Sequence, residues 1–260
     1  MNPLADVAAV LSGSTVGFSL GLVGGGGSIL AVPLLLYVVG VGEPHLAIGT
    51  SAVAVSANAF ANLANHGRRG NVAWHCAAVI AVGGIFGAAL GSEGGKYVEG
   101  QELLLLFAIV MIVVGVAMLR RKDSTGAVPK RLTPIIVARL AGAGFAIGAV
   151  AGFFGIGGGF LIVPGLVFAA GLPMLKATAS SLLAVGTCAL TTAVSYALSG
   201  LVDWPVAAEF IAGGIVGGML GIWAATRLAH HKRALTRLFA GIIFAMAAYM
   251  MYRSAVLLAS

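Results

Sequence analysis

Two runs, GLVGGGGSILAVP at 21–33 and GFFGIGGGFLIVP at 152–164, are the part of the chain best suited to chemistry. Glycines this dense make poor helix interior, and both runs lie in apolar sequence. Unwound backbone in such a setting persists only where it is buried in protein or lines a polar cavity. A helix that restarts after a break aims free N–H groups and the positive end of its dipole at whatever lies in front of it, which favours an anion. Gly24, Gly26 and Gly27, with Gly155, Gly157 and Gly158, are therefore candidate substrate-binding positions. Close packing through small residues is the competing reading, and the paired occurrence of the runs favours a site.

The segments that follow carry hydroxyls and amides. Thr50 and Ser51, and Ser180 and Ser181, stand near two helix starts and are candidate oxyanion donors. Ser51, Asn58, Asn62 and Asn65 share one helix face by their spacing, as do Ser181, Cys188, Thr192 and Ser195. Asn58, Asn62 and Thr192 could line a polar pathway or equally bond across helix interfaces. Ionisable groups inside apolar blocks are candidates by default. His45 and Lys176 could attract an anion from the starts of corresponding helices, although Lys176 could also snorkel. Glu209 could carry a proton or sit at an interface. Gly83, Gly87 and Gly91, Gly213, Gly217 and Gly221, and Gly144, Gly148 and Gly152 read as packing seams.

Other chemistries are excluded. No Gly-Lys-Ser/Thr follows either run and no dinucleotide fingerprint fits, so no nucleotide is implied. Two cysteines and five histidines show no metal-ligand spacing, and no nucleophile, base or acid pair is arranged for catalysis. Neither a metal, a cofactor nor an enzyme is expected.

The surrounding elements must be membrane helices. Of 260 residues, 60% are hydrophobic and 9% charged, with mean hydropathy +1.05, where soluble domains carry about a quarter charged residues. The net charge of +7 does not indicate nucleic acid, because the basic residues fall in short loops. These are Arg68 and Arg69, residues 120–131, and residues 227–237, which should be cytoplasmic. The N-terminus lacks a basic n-region and reads as a retained membrane segment.

The chain also repeats. An offset of 131 lays Gly17, Gly21, Gly24, Gly26, Gly27 and Pro33 on Gly148, Gly152, Gly155, Gly157, Gly158 and Pro164. After a one-residue gap, an offset of 130 lays Ser51 on Ser181 and Trp74 on Trp204. The expectation is an all-α polytopic membrane protein with 8–10 transmembrane segments, glycine-broken helices and two homologous halves as inverted repeats. Residues 1–119 form the first repeat, 120–133 a basic cytoplasmic linker and 134–260 the second repeat.

The duplicated glycine run with its proline, followed by Thr-Ser in VGVGEPHLAIGTS and Ser-Ser in GLPMLKATASS, resembles the TauE/SafE sulfite exporter family, also called the 4-toluene sulfonate uptake permease family. The resemblance covers nearly the whole chain. It implies a secondary transporter that moves sulfite, a sulfonate or a related small oxyanion across the bacterial inner membrane without nucleotide, by alternating access. The implied partners are a small anionic substrate and the lipid bilayer, with homo-oligomerisation left open. A passive anion channel could use the same anion-coordinating architecture, and a non-transporting membrane partner is an alternative for which only the lack of a clear coupling residue speaks.

Overall fold

The structure is a computed structural model that describes residues 3–119, 133–227 and 241–253. Most of the expected linker, 120–132, and most of the third basic loop lie outside the described residues. The order is α1 (Pro3–Val23), a short segment α2, α3 (Pro44–Arg68), α4 (Trp74–Lys96), α5 (Gly100–Leu119), α6 (Pro134–Phe154), α7 (Gly159–Ala170), α8 (Met174–Leu198) and α9 (Trp204–Arg227). Segment α2 joins a 3-10 stretch Gly24–Leu30, an α-helical turn Ala31–Leu34 and a π turn Leu35–Val39. Residues 241–253 are helical, α10.

Local sequence sets these bounds. Pro44 and Pro134 open α3 and α6 at the first turn, where a missing N–H costs nothing. Thr133 caps α6 by accepting the Ile136 N–H at 3.4 Å. The helices α3 and α8 end in matching turns. Asn71 N–H bonds the His66 carbonyl and Leu201 N–H the Tyr196 carbonyl, with Gly70 and Gly200 left-handed at φ 68° and 71°.

Among the described residues, six helices are long and apolar enough to cross a membrane: those in α1, α3, α4, α6, α8 and α9. By contrast α7 has 12 residues, roughly 18 Å of helix. The fold is thus the expected all-α polytopic membrane protein. Trp74 and Trp204, at matching helix starts, are both largely exposed, as suits aromatic anchors at a membrane–water interface.

The helices associate across the halves. α1 packs against α9 and α4 against α6, and these are the two most extensive helix pairs. Each seam is made of glycine. Gly17 faces the Gly214 carbonyl and Gly217 faces Ser14, while Gly148 faces Gly84 and Gly87 faces the Phe145 carbonyl. At Gly217 and Gly87 a Cβ would enter the facing backbone, so these seams close only around glycine, as the sequence reading expected. Residue numbers rise together along both seams, so α1 runs parallel to α9 and α4 to α6.

The centre is the pair α3 and α8. Ser56 Oγ donates to the Gly186 carbonyl at 3.0 Å. Thr50 lies by Asp203 beyond the end of α8, and Ser180 lies by Ala73 beyond the end of α3. The two helices therefore run antiparallel, although they occupy the same place in their halves.

Candidate functional site

The second glycine run breaks the chain between α6 and α7 in a buried position. Gly155, Gly157 and Gly158 have φ of 69°, 65° and 64°, a region that costs an L side chain about 1–2 kcal/mol. Residues 154–159 are all buried. Leu161 and Ile162 both donate to the Gly158 carbonyl at 3.0 Å. The N–H groups of Gly158, Gly159 and Phe160 therefore start α7 without an intrahelical acceptor. Gly157 faces Val185 and Ala189 of α8, and Gly155 faces Ile48 of α3.

Ser51 reaches this break. Its hydroxyl lies 2.8 Å from the Ile48 carbonyl and 3.4 Å from the Gly155 carbonyl. Ser181, its counterpart, donates to Thr178 O at 2.8 Å. Thr50 and Ser180 are engaged differently. Thr50 Oγ1 accepts the Asp203 N–H at 2.9 Å and Ser180 Oγ accepts the Ala73 N–H at 2.8 Å. Each hydroxyl oxygen thus holds the chain where it enters a helix of the other half.

The first run, with Gly24, Gly26 and Gly27, does not copy the second. It winds as the 3-10 stretch Gly24–Leu30, and Gly27 lies against Ser19 and Leu20 of α1. α7 packs against this stretch. The two runs fall on either side of the Ser56–Gly186 crossing. The second lies toward the start of α3, and the first toward the ends of α1 and α9.

The remaining candidates separate. His45 places Nε2 3.2 Å from the Val98 carbonyl, with its ring 6.4 Å from that of Tyr196. Around it lies a network the sequence did not suggest. Lys96 pairs with Glu93 at 2.8 Å, donates to the Ser195 carbonyl at 3.0 Å and stands 5.6 Å from the Tyr196 ring centre. Lys176 is half-buried in the first turn of α8. Thr192 bonds its own helix at the Cys188 carbonyl, 3.1 Å away. Asn58 and Asn62 are buried on α3 against Gly214 and Gly218 of α9.

Glu209 lies apart from both runs. It lines a cavity of about 290 Å³ with Asp6, Val39, Val41 and Asp203. One carboxylate oxygen each of Asp6 and Glu209 is buried without a partner among the described residues. No group of His, Cys, Asp and Glu suited to a metal ion occurs among the described residues. Asp6 escaped the sequence reading because its apolar neighbours gave no pairing signal. His66 gives no local signal at the end of its apolar block, although it stands four residues past Asn62 on the same face.

Comparison with known proteins accords with this architecture. A family model described as "Sulfite exporter TauE/SafE" matches residues 9–250. The chain is 52% identical over 249 residues to a "Probable membrane transporter protein" of Xylella fastidiosa strain 9a5c, covering 95% of each chain. It is 26% identical over 245 residues to "Probable membrane transporter protein YunE" of Bacillus subtilis, covering 84% of this chain and 88% of that one. A "Probable membrane transporter protein" of Haemophilus influenzae is 29% identical over 230 residues, covering 83% and 82%. No solved structure matches.

Proposed function

The chain belongs to the TauE/SafE sulfite exporter family of membrane transporters, and from that premise we propose that it is a secondary transporter of a small sulfur oxyanion or sulfonate. One observation carries the reading: a buried, left-handed glycine break whose restarting helix presents N–H groups without an intrahelical acceptor. Such a helix start favours negative charge. The N–H groups of Gly158, Gly159 and Phe160 hold the anion, with Ser51 beside the break and Gly155 and Gly157 giving the turn its room. The first run, Gly24, Gly26 and Gly27, and Ser181 serve the equivalent position in the opposite-facing state. Thr50 and Ser180 keep these helix starts in register, and His45 and Lys176 draw the anion toward them.

The halves are inverted repeats, a reading supported by the antiparallel run of α3 and α8. They rock about their crossing to give alternating access in the bacterial inner membrane. The glycine break would also serve a channel, so the test has to separate the two.

Purified protein in proteoliposomes is loaded with excess unlabelled sulfite and exposed to labelled sulfite outside. Transient accumulation of label is expected, with sulfonates competing, and Gly157→Ala should abolish it in a folded, inserted protein. Label that only equilibrates, together with unitary currents, would replace the carrier by a channel. Counterflow of normal rate in Gly157→Ala would remove the glycine break from the site.

A further inference from the structure

On α3, Asn58, Asn62 and His66 follow one another at spacings of four, a row about 12 Å long. All three side chains are buried, at 0%, 2% and 8% exposure. Asn62 Nδ2 donates to the Asn58 backbone carbonyl at 2.9 Å. Both side-chain polar atoms of Asn58, Oδ1 of Asn62 and both ring nitrogens of His66 have no partner among the described residues. Burying polar atoms unpaired in an apolar bundle opposes folding.

The fold makes room for the row. Gly214 and Gly218 lie directly against the two carboxamides, where any Cβ would displace them, while their carbonyls face Gly17 and Gly21 of α1. The same place in the second half is filled otherwise. There Cys188 lies against Gly84, Thr192 is satisfied by its own helix, and Tyr196 leaves a hydroxyl unpaired. Amides at these positions are therefore not a requirement of the architecture. No carboxylate belongs to the row, and it points toward Arg68 and Arg69, both exposed at the end of α3.

We propose that Asn58, Asn62 and His66 form a second holding site for the transported oxyanion. It lies between α3 and α9, across the Ser56–Gly186 crossing from the Gly155–Gly159 break. This rests on the transporter reading above. Asn58 offers two N–H donors, Asn62 its remaining one, and the His66 ring one more. The two Oδ1 atoms accept from a protonated oxyanion or from water that travels with it. No carboxylate faces the ligand from the row and two arginines stand beyond its end, so the local field there favours negative charge.

The test uses the full chain with Asn58→Leu and Asn62→Leu, which keep side-chain bulk and delete the unpaired polar atoms. Sulfite is the probe, in counterflow and in a melting-temperature titration of the purified protein. Each variant should lose at least tenfold in counterflow rate and bind sulfite at least tenfold more weakly. Without sulfite, Asn58→Leu should melt at or above the wild-type temperature, because both polar atoms it deletes are buried and unpaired, whereas Asn62→Leu also gives up the bond to the Asn58 carbonyl. Wild-type counterflow and affinity in both variants would overturn the proposal. So would a fall in the sulfite-free melting temperature of Asn58→Leu parallel to its loss of transport, which marks a structural role. If wild-type protein neither exchanges sulfite nor is stabilised by it, the sulfur-oxyanion reading itself falls and this site with it. If Gly157→Ala blocks exchange while both Asn variants leave it intact, only this site falls.

Discussion

Ser56 and Gly186 touch, hydroxyl to carbonyl at 3.0 Å, and they are the same position of the two halves, 130 residues apart. A residue in contact with its own counterpart stands where the two halves turn into each other. The space there is tight. A Cβ on Gly186 would lie 3.0 Å from carbons of the Phe60 ring. Gly186→Val should destabilise the protein by about 1–3 kcal/mol, read as a melting shift in detergent. In a Phe60→Ala background the same change should cost at least about 1 kcal/mol less. Additive effects would mean that the ring does not set the spacing at this crossing.

Glycines of a single helix should respond in opposite directions. A Cβ on Gly142 of α6 would meet no atom within 4 Å, whereas Gly148 faces the backbone of Gly84. Gly142→Ala should stabilise the helix by roughly 0.5–1 kcal/mol. Gly148→Ala should cost about 1–3 kcal/mol, because backbone cannot yield as a side chain can. Equal responses in a thermal melt would show that α4 and α6 do not approach this closely.

Thr50→Val removes the oxygen that accepts the Asp203 N–H and preserves the shape of the side chain. The orphaned N–H should cost about 1–3 kcal/mol. Ser180→Ala should do the same at Ala73. The two contacts lie on opposite sides of the crossing, so the double variant should equal the sum within about 0.5 kcal/mol. A strong departure from additivity would show that the two helix entries are coupled.

Both thiols are buried, Cys76 at 3% and Cys188 at 1% exposure. Neither should be alkylated by a membrane-impermeant maleimide in intact vesicles, and both should react after denaturation in detergent. Fast labelling of Cys188 in the native protein would mean that α4 and α8 part at Gly84, which faces its sulfur.

Much of this architecture was legible in the sequence. The recurrence of Gly83, Gly87 and Gly91 and of Gly213, Gly217 and Gly221 announces close seams, because only a missing side chain explains small residues at that period. Which seams pair was not legible. Gly148 could have met any glycine face, and its partner Gly84 is chosen by three-dimensional closure. The break at Gly155–Gly158 was readable from density of glycine, yet the matched run at Gly24–Gly27 winds into a 3-10 stretch. Glycine permits both geometries at similar cost. Thr50 and Ser180 were singled out for their hydroxyls, but their backbone partners Asp203 and Ala73 lie 153 and 107 residues away. Local spacing carries no information about such pairs.

The pairing of α1 with α9 also imposes a wait. Ser14 Oγ reaches the Gly213 carbonyl at 3.1 Å across 199 residues of chain. At about 5–20 residues per second, the ribosome needs roughly 10–40 s after making Ser14 to deliver that partner. Throughout this interval the glycine face of α1 lacks α9, the helix that closes it, while α4 meets its own partner α6 much sooner. Biogenesis is therefore lopsided: the α4–α6 seam can zip during synthesis, and the first helix to be made is among the last to be locked.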